Sequence, residues 1–160
     1  MSDVAFNGRI LNVNLTTNEI EEETISEDVY RSHLGGYGLG ARLLFDRIPA
    51  GADPLGPDNV LGFMPGLLTG TPLFGQRFSV VCKSPKNGGW GDANCGGDFG
   101  PMLKFSGYDA VLVYGKAEKP VYVYICLLYT SPSPRDQRGS GGAAWACKKK
   151  GGGGGGGGGG

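Results

Sequence analysis

Two glycine-rich segments and one arginine carry most of the chemistry this sequence offers. The first segment, Gly35-Gly36-Tyr37-Gly38-Leu39-Gly40, follows one helical stretch and leads into another. Its G-x-G-x-G spacing, with a helix rather than a strand upstream, does not fit the G-x-G-x-x-G of dinucleotide sites. Two readings are open: a flexible joint between helices, or a helix start whose unhindered amides attract an anion. The second segment, Asn94-Cys95-Gly96-Gly97, ends a strand and opens a short helix in the same manner. Arg77 lies on the partner strand of that hairpin. An arginine together with helix-terminal amides suits a phosphate; the plainer alternative is one polar residue on a wet strand face.

The remaining reactive side chains point to structural duties. His33, the single histidine, sits near a helix C-terminus, where a cation is favoured, and reads as a cap or surface residue. Asp92 and Asp98 flank the glycine pair without forming a catalytic dyad, and Asp98 suits a helix start. Cys95 has no basic partner in sequence, and a lone thiol of that kind is structural. Trp90 and Tyr37 could lie against a planar cofactor, although the core is the expected place for each. Glu19, Glu21, Glu22 and Glu23 read as a solvated edge that discourages sheet-to-sheet association.

The elements that must position these groups follow from pattern. Leu11, Val13 and Leu15 alternate with Asn12 and Asn14, which predicts a strand over Arg9–Leu15 with one wet face. After turn residues Thr16-Thr17-Asn18, Glu19–Thr24 returns as an edge strand. Ser26 caps a helix beginning at Glu27, with Ile25 and Tyr30 as a staple, and Gly35-Gly36 stops it. A second helix is expected from about Gly40 to Asp46. A buried strand over 59–64, a loop over 65–74 and a strand over 76–82 come next. Lys86-Asn87-Gly88-Gly89 signals a hairpin turn into a strand over 90–94. Gly96-Gly97 opens a helix running through Lys104 and Phe105, closed by Gly107. Ala110–Tyr114 and Val121–Ile125 are expected strands joined around Lys119-Pro120. Seven or eight strands and three short helices, mostly joined by hairpins, give an α+β fold with mostly antiparallel β-sheets.

Composition separates the chain into two parts. Residues 151–160 are all glycine and follow three lysines. The stretch Cys126-Leu127-Leu128-Tyr129-Thr130-Ser131-Pro132-Ser133-Pro134-Arg135-Asp136 resembles a translated sequencing adapter, and the lysine and glycine runs resemble poly-A and poly-G. Residues 126–160 are therefore expected to be a non-native, disordered tail, and the natural chain to be truncated in mid-structure at Ile125. Of the 15 basic and 15 acidic residues, five basic and one acidic lie in that tail, so residues 1–125 carry ten against fourteen, a net of −4. Nucleic acid and anionic membrane are poor partners for such a charge. Cys82 and Cys95 remain in the first part without a C-x-x-C pair, so no zinc or cluster motif is present there. Neither a signal peptide nor a membrane-spanning run is visible, and a cytoplasmic protein with reduced thiols is expected.

Beyond these readings, residues 6–125 resemble one family. Leu34-Gly35-Gly36-Tyr37-Gly38-Leu39-Gly40-Ala41-Arg42-Leu43-Leu44 resembles the first glycine motif of the tungsten-containing aldehyde:ferredoxin oxidoreductases. So do Asp53-Pro54-Leu55-Gly56-Pro57-Asp58-Asn59, Gly66-Leu67-Leu68-Thr69-Gly70-Thr71, Gly75-Gln76-Arg77-Phe78 and Lys83-Ser84-Pro85. The match continues through Ala93-Asn94-Cys95-Gly96-Gly97, Phe99-Gly100, Leu103-Lys104-Phe105-Ser106-Gly107-Tyr108-Asp109-Ala110 and Gly115-Lys116-Ala117-Glu118-Lys119-Pro120-Val121. The resemblance implies that residues 1–125 are an incomplete N-terminal domain, two β-sheets forming a saddle under a tungsten bis-molybdopterin (tungstopterin). It implies that Arg77 contacts the pterin and lies toward an iron–sulfur cluster. By the same resemblance, the main-chain carbonyl of Asn94 helps hold a magnesium ion bridging the pterin phosphates, and Gly96 contacts the pterin. Cys95 stands where some relatives carry serine, and its backbone contact with the cofactor is expected to persist.

For the full-length protein the resemblance implies oxidation of aldehydes to carboxylic acids, with electrons passing through a [4Fe–4S] cluster to ferredoxin. The cluster ligands are absent here, so this fragment alone is expected to be inactive. A homo-oligomer is compatible with this reading. The same-superfamily alternative is the catalytic subunit of a benzoyl-CoA reductase. The alternative of another class is a non-catalytic, glycine-rich binding module.

Overall fold

The computed structural model describes residues 6–73 and 75–125. Within them, β1 (Arg9–Asn14), β2 (Glu19–Thr24), β3 (Leu61–Pro65), β4 (Phe78–Lys83), β5 (Trp90–Cys95) and β6 (Ala110–Tyr114) form one sheet in the order β2-β1-β6-β3-β4-β5. All neighbours are antiparallel except β1 and β6, which run parallel. Three helices accompany the sheet: α1 (Glu27–His33), α2 (Gly36–Arg47) and α3 (Phe99–Phe105). The α+β class is as expected. The described residues give six strands rather than seven or eight, in one sheet rather than the two implied by the resemblance.

Each sheet face carries its own core. Ile10, Leu112, Val81 and Met64 pack with Tyr30, Leu39, Leu43 and Leu44 of α1 and α2. Leu11, Val13 and Val111 pack with Leu103 of α3 and with Tyr108. The period-2 alternation of β1 thus sorts Ile10 to one cluster and Leu11 and Val13 to the other. Val121–Ile125 forms no strand. β6 is already flanked by β1 and β3, so a strand following it has no adjacent free edge. Val123 and Ile125 instead pack against the α3-side cluster.

Local chemistry explains most element ends. The Ser26 side chain accepts a hydrogen bond from the Val29 amide, and Glu27 and Asp28 occupy the first turn of α1, as the capping residues predict. Ile25 and Tyr30 share the buried cluster. The hairpin between β4 and β5 closes at Gly88, whose φ is +69°, with paired bonds between Ser84 and Gly89 and between Gly88 and Ser84. Three expected starts are displaced by two or three residues, with β4 beginning at Phe78 rather than Gln76. β3 begins at Leu61 rather than Asn59, because the Asn59 side chain is spent on Pro54, Lys83 and its own neighbour Val60. α3 begins at Phe99 rather than at the glycine pair, because Gly97 takes φ +95°, which a right-handed helix does not use.

The largest difference lies at α2, which begins at Gly36 rather than Gly40. Gly35 and Gly36 turn the corner between α1 and α2 with positive φ, whereas Gly38 and Gly40 lie inside the helix. A Cβ on Gly40 would lie 2.8 Å from Val81 Cγ2 and 3.1 Å from Met64, so the missing side chain lets α2 sit close on β3 and β4. Gly40→Ala is expected to destabilise the protein by about 1–3 kcal/mol through overpacking. Urea denaturation checks this, and an unchanged midpoint would show that the helix can retreat at no cost.

β2 is the sheet edge, and Glu19, Glu21 and Glu22 are exposed as anticipated. Glu23 departs from that reading. It is half-buried and accepts from Arg47 at 2.5 and 2.7 Å and from Asn12 at 3.0 Å. Burial alone would raise its pKa, but the bonds from Arg47 and Asn12 and the Arg47 charge outweigh burial and hold it below the ordinary value of 4.5. A depressed carboxylate stabilises the fold above its unfolded pKa and loses that contribution as pH falls through the folded value. The stability difference between wild type and Glu23→Gln is therefore expected to be present at neutral pH and to shrink below about pH 4.5. Parallel acid titrations would check it; a gap that stays constant down to full protonation would rule the pair out as its source.

Candidate functional site

A cleft of about 340 Å³ opens where the α1–α2 corner meets the β3–β4–β5 end of the sheet. Leu34 to Gly38 line it on the corner side; Arg77, Phe78, Ser79 and Asn94 line it from the sheet, with Met64 and Gly66 between them in the chain. The corner has an unusual backbone. Leu34, Gly35 and Gly36 take φ of +58°, +71° and +54° in succession. For Leu34 this left-handed conformation costs roughly 1–2 kcal/mol, and its side chain stands exposed. Gly35 bridges Gly66 of the β3 end. A Cβ on Gly35 would sit within 3.1 Å of the Pro65 carbonyl and the Leu67 amide, so glycine is required there. α2 then starts with no side-chain cap, leaving its first-turn amides to other partners.

Facing this corner, Arg77 Nη1 donates to Asn94 Oδ1 at 2.6 Å. The hairpin register pairs Ser79 with Asn94 and Phe78 with Cys95, which brings Arg77 level with the far end of β5. Arg9, Arg31, Arg42 and Arg47 each pair with a carboxylate. Among the described residues no carboxylate pairs with Arg77; its side-chain partner is the neutral amide of Asn94. A positive charge left without a counter-charge beside uncapped helix amides can take up an anion.

Residues 10–127 match the N-terminal domain of aldehyde ferredoxin oxidoreductase. The chain belongs to that family. It is 50% identical over 119 residues to the tungsten-containing aldehyde ferredoxin oxidoreductase of Thermococcus kodakarensis, and 49% identical over 119 residues to that of Pyrococcus furiosus. Each match covers 74% of this chain and 20% of the relative. The active-site complex BamBC of benzoyl coenzyme A reductase, solved with 1,5-dienoyl-CoA, superposes with a TM-score of 0.74 at 38% identity, covering 76% of this chain and 19% of that one. The chain thus spans about a fifth of the length of these relatives.

In this aldehyde ferredoxin oxidoreductase domain, the residues singled out from sequence divide into two groups. Arg77 and Asn94 come together and share the cleft with the first glycine segment. Cys95 and Gly96 follow Asn94 at the end of β5 but are not among the cleft lining, and a Cβ on Gly96 would meet nothing within 4 Å. Tyr37 and Trp90 are both exposed, at 63% and 42%, which corrects their expected core placement. Tyr37 stands in the first turn of α2 beside the cleft, and Trp90 is the first residue of the edge strand β5. His33 makes the expected C-terminal contact, Nδ1 to the Val29 carbonyl at 2.9 Å, yet also lines the cleft.

The donor set decides which part of a cofactor these residues fit. A guanidinium, bare amides and glycine backbone suit an anionic, flat group. Among the described residues no group of three His, Cys, Asp or Glu could hold a metal ion. Cys82 and Cys95 are free thiols, and burial pushes the Cys82 thiol up, away from the reactive thiolate. No described helix is long and apolar enough to cross a membrane. The expected tail, residues 126–160, lies outside the described residues. Sequence reasoning missed Leu34, whose positive φ has no local signal in its residue type, and Ser79, whose place in the lining depends on strand register.

Proposed function

We propose that residues 1–125 are the tungstopterin-binding N-terminal part of an enzyme that oxidises aldehydes to carboxylic acids with ferredoxin as electron acceptor. One observation supports it above the others: Arg77, without a carboxylate partner among the described residues, shares a cleft with the uncapped start of α2. In this reading Arg77 donates to the pterin and the first amides of α2 receive its anionic part. Gly96 and Cys95 would give backbone contact beyond Asn94, and the Asn94 main-chain carbonyl would help hold a magnesium ion. When bound, the cofactor supplies two-electron oxidation at tungsten. A [4Fe–4S] cluster needs four thiolates, so its ligands belong to parts of the protein beyond residues 1–125, and the fragment alone is inactive. The protein works in the cytoplasm.

The likeness to the benzoyl coenzyme A reductase complex favours a second reading: the same cofactor cradle in a reductase of the same superfamily. Expression of a complete gene copy in tungstate medium separates these readings. Tungsten and pterin in the purified protein, with aldehyde-dependent ferredoxin reduction, are the expected result. Pterin without aldehyde turnover would favour the ring reductase. A folded protein with no pterin would refute both and leave the non-catalytic binding module.

A further inference from the structure

Thr69 does not line the cleft, yet it joins the two sides of it. It is 4% exposed. Its hydroxyl donates to the Arg77 carbonyl at 2.6 Å and accepts from the Gly66 amide at 2.9 Å. Gly66 in turn bridges Gly35 at the corner. One hydroxyl therefore connects the backbone of the glycine corner to the backbone of the arginine that faces it. The connection matters because β4 begins at Phe78, whose ladder partner is Pro65; Arg77 lies one residue before that ladder. The methyl of Thr69 faces Gly100 of α3, where a Cβ would lie 3.1 Å away, so the side chain is held from both ends.

We propose that Thr69 is a positioning residue for the anionic ligand: it holds Arg77 at a fixed distance from the start of α2. The role rests on the reading of the cleft as the pterin site. Valine has the same shape and lacks both bonds, whereas serine keeps them. In the complete, tungsten-loaded polypeptide, Thr69→Val is expected to release pterin about tenfold faster than wild type, the scale of losing hydrogen bonds to one fixed group. Thr69→Ser restores slow release. If Thr69 acts through Arg77, Thr69→Val adds nothing to the release rate in an Arg77→Met background, although it still lowers the melting temperature. Independent, multiplicative effects on release would overturn the proposal and leave Thr69 a structural residue. Thr69→Val releasing pterin as slowly as wild type would overturn it while the cleft's reading stands. A wild-type protein without pterin would overturn that reading and the Thr69 role with it. Should Thr69→Val not fold, hydrogen exchange at the Gly66 amide of the wild-type holoenzyme decides: slow exchange is expected, and exchange at the rate of an unprotected amide would overturn the clamp.

Discussion

Replacing Arg77 by methionine in the complete polypeptide is expected to cut pterin and tungsten content sharply while leaving the fold intact. A hydrogen bond to a charged group contributes about 1.5–3 kcal/mol, which corresponds to roughly ten- to more than a hundredfold in affinity. Arg77 is exposed and its side-chain hydrogen bond goes to Asn94, so the change in folding stability should stay within about 0.5 kcal/mol. Arg77→Lys should recover part of the loss, because the charge returns without the planar fork. Metal analysis and pterin fluorescence against protein concentration give the readout. Wild-type cofactor content in Arg77→Met would remove the guanidinium from the proposed cradle.

The second large effect concerns a buried ionic cluster that supports the same corner from behind. Lys104 on α3 is 5% exposed at its side chain and pairs with Asp109, which is fully buried. Asp109 Oδ2 also accepts the Asn7 and Gly8 amides at 2.9 and 2.7 Å, and Lys104 Nζ donates to the Tyr30 hydroxyl at 3.2 Å. The cluster thus fastens the N-terminal segment, α1 and α3 to the start of β6. The Tyr30 hydroxyl lies 3.0 Å from where a Cβ on Gly35 would be, so it also backs the glycine corner. Burial, and then the Asp109 charge, push the Tyr30 hydroxyl far up, keeping it protonated. Lys104→Met leaves the Asp109 carboxylate buried without its cation, and about 3–5 kcal/mol of stability should be lost. That is a large share of the roughly 5–15 kcal/mol typical of a domain. Denaturant titration of Lys104→Met, Asp109→Leu and the double variant tests it. The double variant should be less damaged than the sum of the singles; strict additivity would mean that the two charges do not stabilise each other.

Much of the local structure was legible from residue types alone. Ser26 at a cap, the Lys86–Gly89 turn and the alternation in β1 act over a few residues, and such signals survive without knowledge of the rest of the fold. The pairing of Arg77 with Asn94 was nearly legible for the same reason. They are joined by one tight hairpin, whose turn fixes the register.

Longer-range choices left no such signal. The parallel pairing of β1 with β6 joins residues about a hundred positions apart, and no local pattern specifies it. The first glycine segment left a joint and an anion-attracting helix start both open; what Gly40 serves is the close approach of α2 to Val81 and Met64, which exists only once the sheet has formed. Nothing local marks Lys104 and Asp109 as a buried pair, because their burial depends on the N-terminal segment, whose Asn7 and Gly8 amides bond to Asp109. Sequence by itself therefore determined the family and the α+β class, and singled out Arg77 and Asn94 as neighbours across one hairpin, since these are carried by residue types in order. Tertiary structure alone decided that the Leu34–Gly38 corner faces Arg77, and that a buried threonine ties the two, because those contacts are set by packing between segments with no shared local signal.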